Sequence, residues 1–288
     1  MTNKAVDNVK QYYRQLFSKQ DKVEYWNSIY DRQDFHADCY RQRINTALSW
    51  LVDSGLPRNS KILEVGCGAG KFVYEADRMG YEVLGVDYSH EMIAKANNTP
   101  GHADKINVSF LQADIESLPL ADSSFDAIVC LGVISYLQSK DKALQELARV
   151  MKPGGVLVIS ILNRARLIRV LNLPFFLTKR LRKMILAIPV IKNRKGANHN
   201  APSLTTYFIP KFKKSLELMG FAILETKTIP YELPSLFDKE IFPQELAIKT
   251  ALFFEKFQNI PLIGSFGGMC VFKAVLRPRM SNFGDQSR

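Results

Sequence analysis

The stretch that decides the fold is Lys61-Ile62-Leu63-Glu64-Val65-Gly66-Cys67-Gly68-Ala69-Gly70. Its first half is a short apolar run of the kind that forms buried parallel strands, and a helical pattern over 70–79 follows its glycines. Glycines let the backbone turn without interference from a Cβ atom, and they let it approach a ligand closely. The stretch therefore predicts a strand, a tight turn and a helix, in which the turn either serves the chain alone or also binds a ligand.

Similar patterns continue along the chain. Further strands are predicted at 83–87, 108–113, 125–131, 155–160, 221–227 and 268–275, and further helices at 89–97, 139–151 and 206–219, with Ser89 and Ser139 as caps. Alternating strands and helices predict an α/β fold with a Rossmann-like, doubly wound, seven-stranded parallel sheet. In such sheets the ligand site lies at the carboxyl ends of the strands, where the crossover direction switches.

Around this core we expect several flanking segments. The predicted division is a helical N-terminal lid at 1–58, the core at 59–160, a basic amphipathic insertion at 161–205, completion of the core at 206–276 with an insertion at 230–266, and a tail at 277–288. A chain of 288 residues can bury a sufficient core without disulfides. Its four cysteines form no Cys-x-x-Cys pair, which predicts no metal site and a reducing compartment.

The location of the protein is inferred from apolar segments and charge. The first twenty residues lack the apolar segment of a secretory signal, and no uncharged apolar stretch reaches the roughly 18 residues of a membrane span. The net charge is +11, yet fifteen basic residues and no acidic residue lie between Glu146 and Glu217. We therefore expect a cytoplasmic protein, with peripheral contact at the inner face of a membrane as a further expectation from its basic segment.

Two acidic residues follow predicted strands. Asp87 ends the second strand, 23 residues after Glu64, and Asp114 follows the third. A carboxylate at the end of the second strand can accept hydrogen bonds from the hydroxyls of a ribose, or it can cap the helix that begins near Ser89. The first interpretation predicts an adenosine-type cofactor without separating NAD from S-adenosylmethionine.

Further motifs separate these two cofactors. Asp114 is followed by Leu118-Pro119, by Phe125-Asp126 at the fourth strand, and by Arg149-Val150-Met151-Lys152-Pro153-Gly154-Gly155 before the fifth. Together with the acid-x-Gly-x-Gly-x-Gly order of 64–70, these motifs resemble those of the class I S-adenosylmethionine-dependent methyltransferases, in a layout similar to the quinone-biosynthesis branch. The resemblance is strong over 60–160 and weaker over 206–276.

The resemblance implies a role for each matching residue. Around the cofactor's methionine part it places Glu64, Gly66, Cys67, Gly68 and the carbonyl of Leu131. At the ribose and adenine it places Asp87, Tyr88, Asp114 and Ile115, and it sets 133–136, with Tyr136, near the transferred methyl group. Methyl transfer would then be a direct SN2 displacement.

Two N-terminal features are candidates for the acceptor side. An aromatic cluster within 25–40 includes Tyr30 and either closes over the methyl-transfer site or forms the packed face of a helix. A hydroxyl acceptor would need a base, for which His36 is the candidate, with a surface or packing role as the alternative. An amine or a carbanion-like carbon would need little beyond alignment.

The basic segment bears on the acceptor class. Residues 177–188 form a basic amphipathic pattern, which would pack on its own domain, bind RNA, or contact an anionic membrane through 164–195. The sequence after the fourth strand lacks the Asn-Pro-Pro-Tyr motif of many nucleic-acid methyltransferases. We therefore expect a small or lipid-like acceptor. The alternatives are an RNA (tRNA) methyltransferase that uses 147–216 and a non-catalytic S-adenosylmethionine-binding regulator; nothing in the sequence indicates the oligomeric state.

Overall fold

A computed structural model gives the arrangement of the chain. It describes residues 12, 15–16, 18–99, 106–137, 139–164, 204–229, 235–236, 239–240 and 268–278. The helices are α1 (Gln20–Ser28), α2 (Phe35–Asp53), α3 (Lys71–Arg78), α4 (His90–Asn97), α5 (Asp141–Val150) and α6 (Ile209–Leu218). The strands are β1 (Lys61–Val65), β2 (Glu82–Asp87), β3 (Val108–Gln112), β4 (Phe125–Cys130), β5 (Met151–Leu162), β6 (Phe221–Ile229), β7 (Ser235–Leu236), β8 (Lys239–Glu240) and β9 (Met269–Leu276).

Seven of these strands form one sheet in the order β3-β2-β1-β4-β5-β9-β6, which confirms the seven-stranded, Rossmann-like fold. Strands β1 to β5 pair in parallel, whereas β9 lies antiparallel between β5 and β6. The prediction of an entirely parallel sheet was therefore wrong at β9. A strand that is buried on both faces is an apolar run whether it lies parallel or antiparallel to its neighbours. The sequence pattern therefore does not predict the orientation of the strand.

The sheet separates two apolar cores. One core joins α2 and α3 to the sheet through Cys39, Leu51 and Phe72, and the other joins α5 and α6 through Leu147 and Phe212. Helix α2 thus packs into the same core as the strands. This packing places the side chains of α2 at the carboxyl ends of β1 and β4.

Helix starts differ slightly from their predicted positions. Ser89 caps α4 as predicted, because its Oγ accepts from the backbone N–H of Met92 at 3.2 Å. Helix α5 begins at Asp141 after Lys140, one residue later than predicted, and the Ser139 Oγ accepts from the backbone N–H of Asp141 at 3.4 Å. Met151 belongs to β5 and not to the helix before it.

Several predictions fall outside the described residues. The basic amphipathic pattern at 177–188 lies there, as do 165–203 of the basic segment and 241–266 of the later insertion. Within the described ranges, no helix is long and apolar enough to cross a bilayer. The same ranges contain no cluster of three or more metal-ligating side chains.

Candidate functional site

A cavity of about 390 Å³ opens at the carboxyl ends of β1, β2 and β4. Its wall includes every cofactor and substrate-pocket residue predicted from the sequence: Tyr30, Glu64, Gly66, Cys67, Gly68, Asp87, Tyr88, Asp114, Ile115, Leu131 and Tyr136. The fold brings these residues together because parallel strands end at the same edge of the sheet. Their individual roles remain predictions.

The β1–α3 turn forms the floor of the cavity. Gly66, Gly68 and Gly70 all have positive φ angles, which L side chains rarely adopt. A Cβ atom on Gly66 would collide with the side chain of Val133, whereas one on Gly68 would meet no atom within 4 Å. The turn therefore needs glycine for two reasons: Gly66 allows a close approach within the protein, and Gly68 leaves open space on the side of the cavity.

Asp87 both shapes this turn and faces the cavity. Its Oδ2 accepts from the backbone N–H of Gly68 at 2.8 Å, and its Oδ1 accepts from that of Ser89 at 2.9 Å. Burial raises the pKa of Asp87, while these backbone donors act to lower it. Since a carboxylate has about four lone-pair sites, capacity to accept further bonds remains.

Glu64 and Arg43 carry polar atoms without partners. Glu64 is 5% exposed and Arg43 is 6% exposed, and both line the cavity. Glu64 Oε2 and Arg43 Nε are buried without a hydrogen-bond partner. Burial raises the pKa of Glu64 well above its ordinary value, Arg43 acts to lower it, and Asp87 raises it further. Buried polar atoms rarely remain unpaired, so this pair points to a bound group with both a donor and an acceptor.

The loop after β3 forms another part of the cavity wall. Asp114 Oδ1 accepts from the backbone N–H of Glu116 at 2.9 Å, and Ile115 is buried beside it. Arg149 of α5 holds this loop by donating to the carbonyls of Leu118 at 2.9 Å and of Leu120 at 2.7 Å. Asp114 and Ile115 are thereby presented to the cavity on a braced loop.

Aromatic rings from the two N-terminal helices and from the turn between them form part of the cavity wall. Tyr40 lies edge-on to Trp26 at 5.4 Å and to Tyr30 at 6.3 Å between ring centroids, and all three line the cavity. The Arg43 guanidinium lies 4.8 Å from the Tyr40 ring. Burial raises the pKa of Tyr30, which keeps its phenol protonated at neutral pH. Tyr40, itself buried, fits both interpretations of the aromatic cluster, because it packs in α2 and also forms the wall.

The predicted base is placed elsewhere. His36 lies in the first turn of α2 and is not among the residues that line the cavity. Its ring is edge-on to Phe35 at 5.9 Å. The structure therefore does not bring His36 to the other predicted residues, and the packing role is the one its surroundings favour.

Sequence reasoning missed Arg43 as a member of the wall, whereas Trp26 and Tyr40 belong to the aromatic cluster within 25–40 that was a candidate for it. Arg43 did leave a signal, because it falls on the same helical stripe as the buried residues Tyr40, Ile44 and Ala47. A charged residue on an apolar stripe at i, i+3, i+4 spacing is an anomaly that calls for a partner.

Comparisons with known proteins agree with this geometry. The family described as "Methyltransferase domain" matches residues 63–159. The malonyl-[acyl-carrier protein] O-methyltransferase of Buchnera aphidicola is 38% identical over 102 residues, covering 35% of this chain and 39% of that protein. The ubiquinone biosynthesis O-methyltransferase of Xanthomonas oryzae is 30% identical over 106 residues, covering 36% and 44%. The chain thus spans less than half the length of these two curated relatives.

Solved structures share the fold over more of the chain. Magnesium protoporphyrin IX methyltransferase from Synechocystis, with bound S-adenosylhomocysteine, covers 94% of this chain and all of its own, with a TM-score of 0.60 and 18% identity. The [4+2]-cyclase SpnF covers 81% of this chain and 80% of its own, with a TM-score of 0.52 and 19% identity. At these identities the likeness establishes the fold and not the reaction.

Proposed function

We propose that this chain, a class I S-adenosylmethionine-dependent methyltransferase by domain family and fold, transfers the cofactor's methyl group to a small or lipid-like metabolite. One observation carries the proposal: an unpaired buried carboxylate oxygen on Glu64 and an unpaired buried guanidinium nitrogen on Arg43 line one cavity. A ligand that bears an ammonium and a carboxylate would satisfy both, since each group would gain a charge-assisted hydrogen bond.

The residues present fit S-adenosylmethionine. Its amino-acid end bears the two charges that Glu64 and Arg43 would pair with, and its ribose hydroxyls are donors for Asp87. Asp114 would accept from the adenine amino group, with Ile115 against the ring. Gly68, with open space where a side chain would stand, lets the turn lie against the ligand.

The cofactor, when bound, supplies a methyl group on a sulfonium that is already a good leaving group. The protein's part is to align the acceptor and to exclude water. Trp26, Tyr30 and Tyr40 would cover the cavity on one side and Tyr136 would border it on the other. The protonated Tyr30 phenol would donate a hydrogen bond to the acceptor, which orients it without removing a proton.

The character of the wall supports an acceptor with an apolar body. Leu162, Leu204 and Met269 join the aromatic rings around the cavity. No histidine lines it within the described residues, so a hydroxyl acceptor would need a carboxylate of the wall such as Asp31 as its base, whereas an amine or a stabilised carbanion would need none. The two relatives named above are, by their names, O-methyltransferases of ubiquinone biosynthesis and of malonyl-[acyl-carrier protein].

The described part of the basic segment gives limited support to an RNA acceptor. Arg149 is paired with Glu146 and Asp122, and Lys152 is paired with Asp126 at 2.7 Å, whereas Arg164 and Lys211 have no acid partner among the described residues. Cations already paired with carboxylates contribute little to phosphate binding. Membrane contact through 164–195 remains a proposal, as does a non-catalytic cofactor-binding role.

The test is to incubate the purified chain with methyl-labelled S-adenosylmethionine and an extract of its source, and to follow the label by fraction. We expect label in the organic or small-molecule fraction, abolished in Asp87→Asn. Asp122→Asn is the matched control, because Asp122 is an exposed carboxylate outside the cavity wall. Label in RNA would favour the RNA alternative, and cofactor binding without transfer would favour the non-catalytic one.

A further inference from the structure

A second, smaller cavity of about 190 Å³ lies beside α6. Three cationic side chains and three hydroxyl groups contribute to its wall: Lys140, Arg164, Lys211, Thr206, Tyr207 and Ser215. None of these residues lines the main cavity. Tyr207 and Ser215 already donate their hydroxyl hydrogens to the carbonyls of Ile134 and Lys211. The donors left for an oxyanion with several oxygens are the cationic side chains and the Thr206 hydroxyl.

The charges at this cavity are incompletely balanced. Lys140 Nζ lies 3.1 Å from Asp141 Oδ1, which neutralises one of the three cations. Arg164 stacks on the Phe208 ring at 5.2 Å, and within the described residues neither Arg164 nor Lys211 forms an ion pair with an acid. Two cations are therefore left without a counter-charge among these residues.

The start of one helix adds to this positive character. Helix α6 begins after Phe208, which provides no side-chain cap and itself lines the cavity. The first N–H groups of a helix favour an anion, as does the positive end of its dipole. Lys211 and Ser215, one turn apart on α6, both face the cavity.

The small cavity adjoins the main one along three chain segments. In each segment, one residue lines the main cavity and a residue two or three positions further on lines the small one. These pairs are Leu137 and Lys140, Leu162 and Arg164, and Leu204 and Thr206. The 204–207 segment is held between them, since Thr205 donates its N–H to the Ser135 carbonyl at 2.7 Å and its Oγ1 to that of Leu137 at 2.9 Å. Two to three extended residues span roughly 7–10 Å.

We propose that the small cavity binds a phosphate group carried by the methyl acceptor, whose reacting end occupies the main cavity. The methylated end of this acceptor rests on the proposed methyl transfer, while the phosphate site itself rests on Arg164, Lys211 and the Thr206 hydroxyl. The acceptor class is then a phosphorylated metabolite with an apolar segment between its phosphate and its methylated atom.

The test compares three ligands on the full chain loaded with S-adenosylhomocysteine, by titration calorimetry: inorganic phosphate, hexyl phosphate and hexanol. We expect hexyl phosphate to bind more tightly than either of the others, because its phosphate would occupy the small cavity while its alkyl chain would extend past the hydrogen-bonded 204–207 segment to the main one. Arg164→Ala and Lys211→Ala should each weaken its binding roughly tenfold or more, the loss of one charge-assisted hydrogen bond. Lys214→Ala is the matched control, because Lys214 is 70% exposed on the same helix and does not line the cavity.

A further variant distinguishes free phosphate from phosphate borne by an acceptor. Leu204→Ser should weaken hexyl phosphate and leave inorganic phosphate unchanged, since Leu204 belongs to the main cavity. Equal affinities for the two phosphates would overturn the acceptor half of the proposal. Equal losses in Lys214→Ala and Lys211→Ala, or no saturable binding of either phosphate, would overturn the site.

The proposed methyl transfer is measured separately on the same preparations. If phosphate binds and no label is transferred to any fraction, the enzyme proposal fails while the oxyanion site stands. If label is transferred and Arg164→Ala has no effect on phosphate binding, only the further inference fails. Circular dichroism of each variant controls for folding.

Discussion

At the residue scale, the main cavity depends on buried groups that the protein itself leaves unsatisfied. Glu64 and Arg43 are buried with opposite formal charges, and each has one unpaired polar atom. Leaving such atoms unpaired costs free energy, about 1–3 kcal/mol for each group. A ligand that pairs both recovers that cost, which is a physical reason for tight binding of a zwitterionic end.

Glu64→Gln should remove much of the pH dependence of cofactor binding. Burial raises the pKa of Glu64 in the free protein, and a bound cation would lower it, so binding releases a proton and affinity rises with pH until the free carboxyl is ionised. Calorimetry of S-adenosylmethionine binding in two buffers of different ionisation enthalpy measures the release. Asp87, whose pKa is also raised, supplies the remainder. Undiminished proton release in Glu64→Gln would contradict the assignment.

Gly66→Ala should destabilise the protein more than Gly154→Ala does. Both glycines have positive φ angles, which cost an L residue about 1–2 kcal/mol. Only at Gly66 does the new methyl group collide, with Val133, which adds about 1–3 kcal/mol of overpacking. Urea unfolding of the two variants provides the comparison, and equal losses of unfolding free energy would show that Val133 moves freely aside.

At the scale of elements, the cavity walls come from separate elements that other contacts brace. Helix α2 contributes Tyr40 and Arg43 and is held in place by Cys39, Ala47 and Leu51, which are buried in the core. The loop that carries Asp114 is tied to α5 through Arg149. Placement of the binding groups therefore depends on side chains that do not themselves line the cavity.

Arg149→Ala should loosen the loop after β3. Arg149 donates to two loop carbonyls and to Glu146, whose Oε2 also accepts from the Leu118 N–H at 2.8 Å. The ion pair with the exposed Asp122 is screened by solvent, so the carbonyl bonds dominate an expected loss of about 1–3 kcal/mol in unfolding free energy. Weaker cofactor binding should accompany that loss, because Asp114 and Ile115 share the loop. Lys142→Ala, an exposed change on the same helix, serves as the control for both measurements.

At the scale of the whole molecule, the N-terminal helices and the sheet share one core. Cys39 of α2 lies in the same apolar cluster as Val129 of β4 and Val158 of β5. The structure therefore supports cooperative opening of α2 with the sheet, in place of independent movement of α2 as a lid.

Thiol labelling tests this cooperativity. All four cysteines are buried and form no disulfide, and burial raises the pKa of Cys39 and of Cys270 each to about 12, so reactive thiolates are rare in the folded protein. We expect Cys39 and Cys130 to react at similar, slow rates in native buffer, followed by mass spectrometry of the labelled peptides. Much faster labelling of Cys39 would show that α2 opens separately.

The sequence by itself determined the elements of the core and many of the residues that line the main cavity. The glycine turn at 66–70 and Asp114 follow predicted strands and Asp87 ends one, and parallel strands end at one edge of the sheet. Local patterns of this kind depend only on neighbouring residues.

Only the tertiary structure decided four features. These are the orientation of β9, the position of Arg43 beside Glu64, the absence of His36 from the wall of the main cavity, and the existence of the small cationic cavity. Each depends on contacts between segments far apart in the chain. Arg164 and Lys211, for example, are 47 positions apart in the sequence and line the same small cavity. A buried strand has the same apolar pattern in both directions, and a cation in a sequence does not reveal which distant acid it meets. Packing of the whole chain sets those pairings, since burial and charge act through space and not along the sequence.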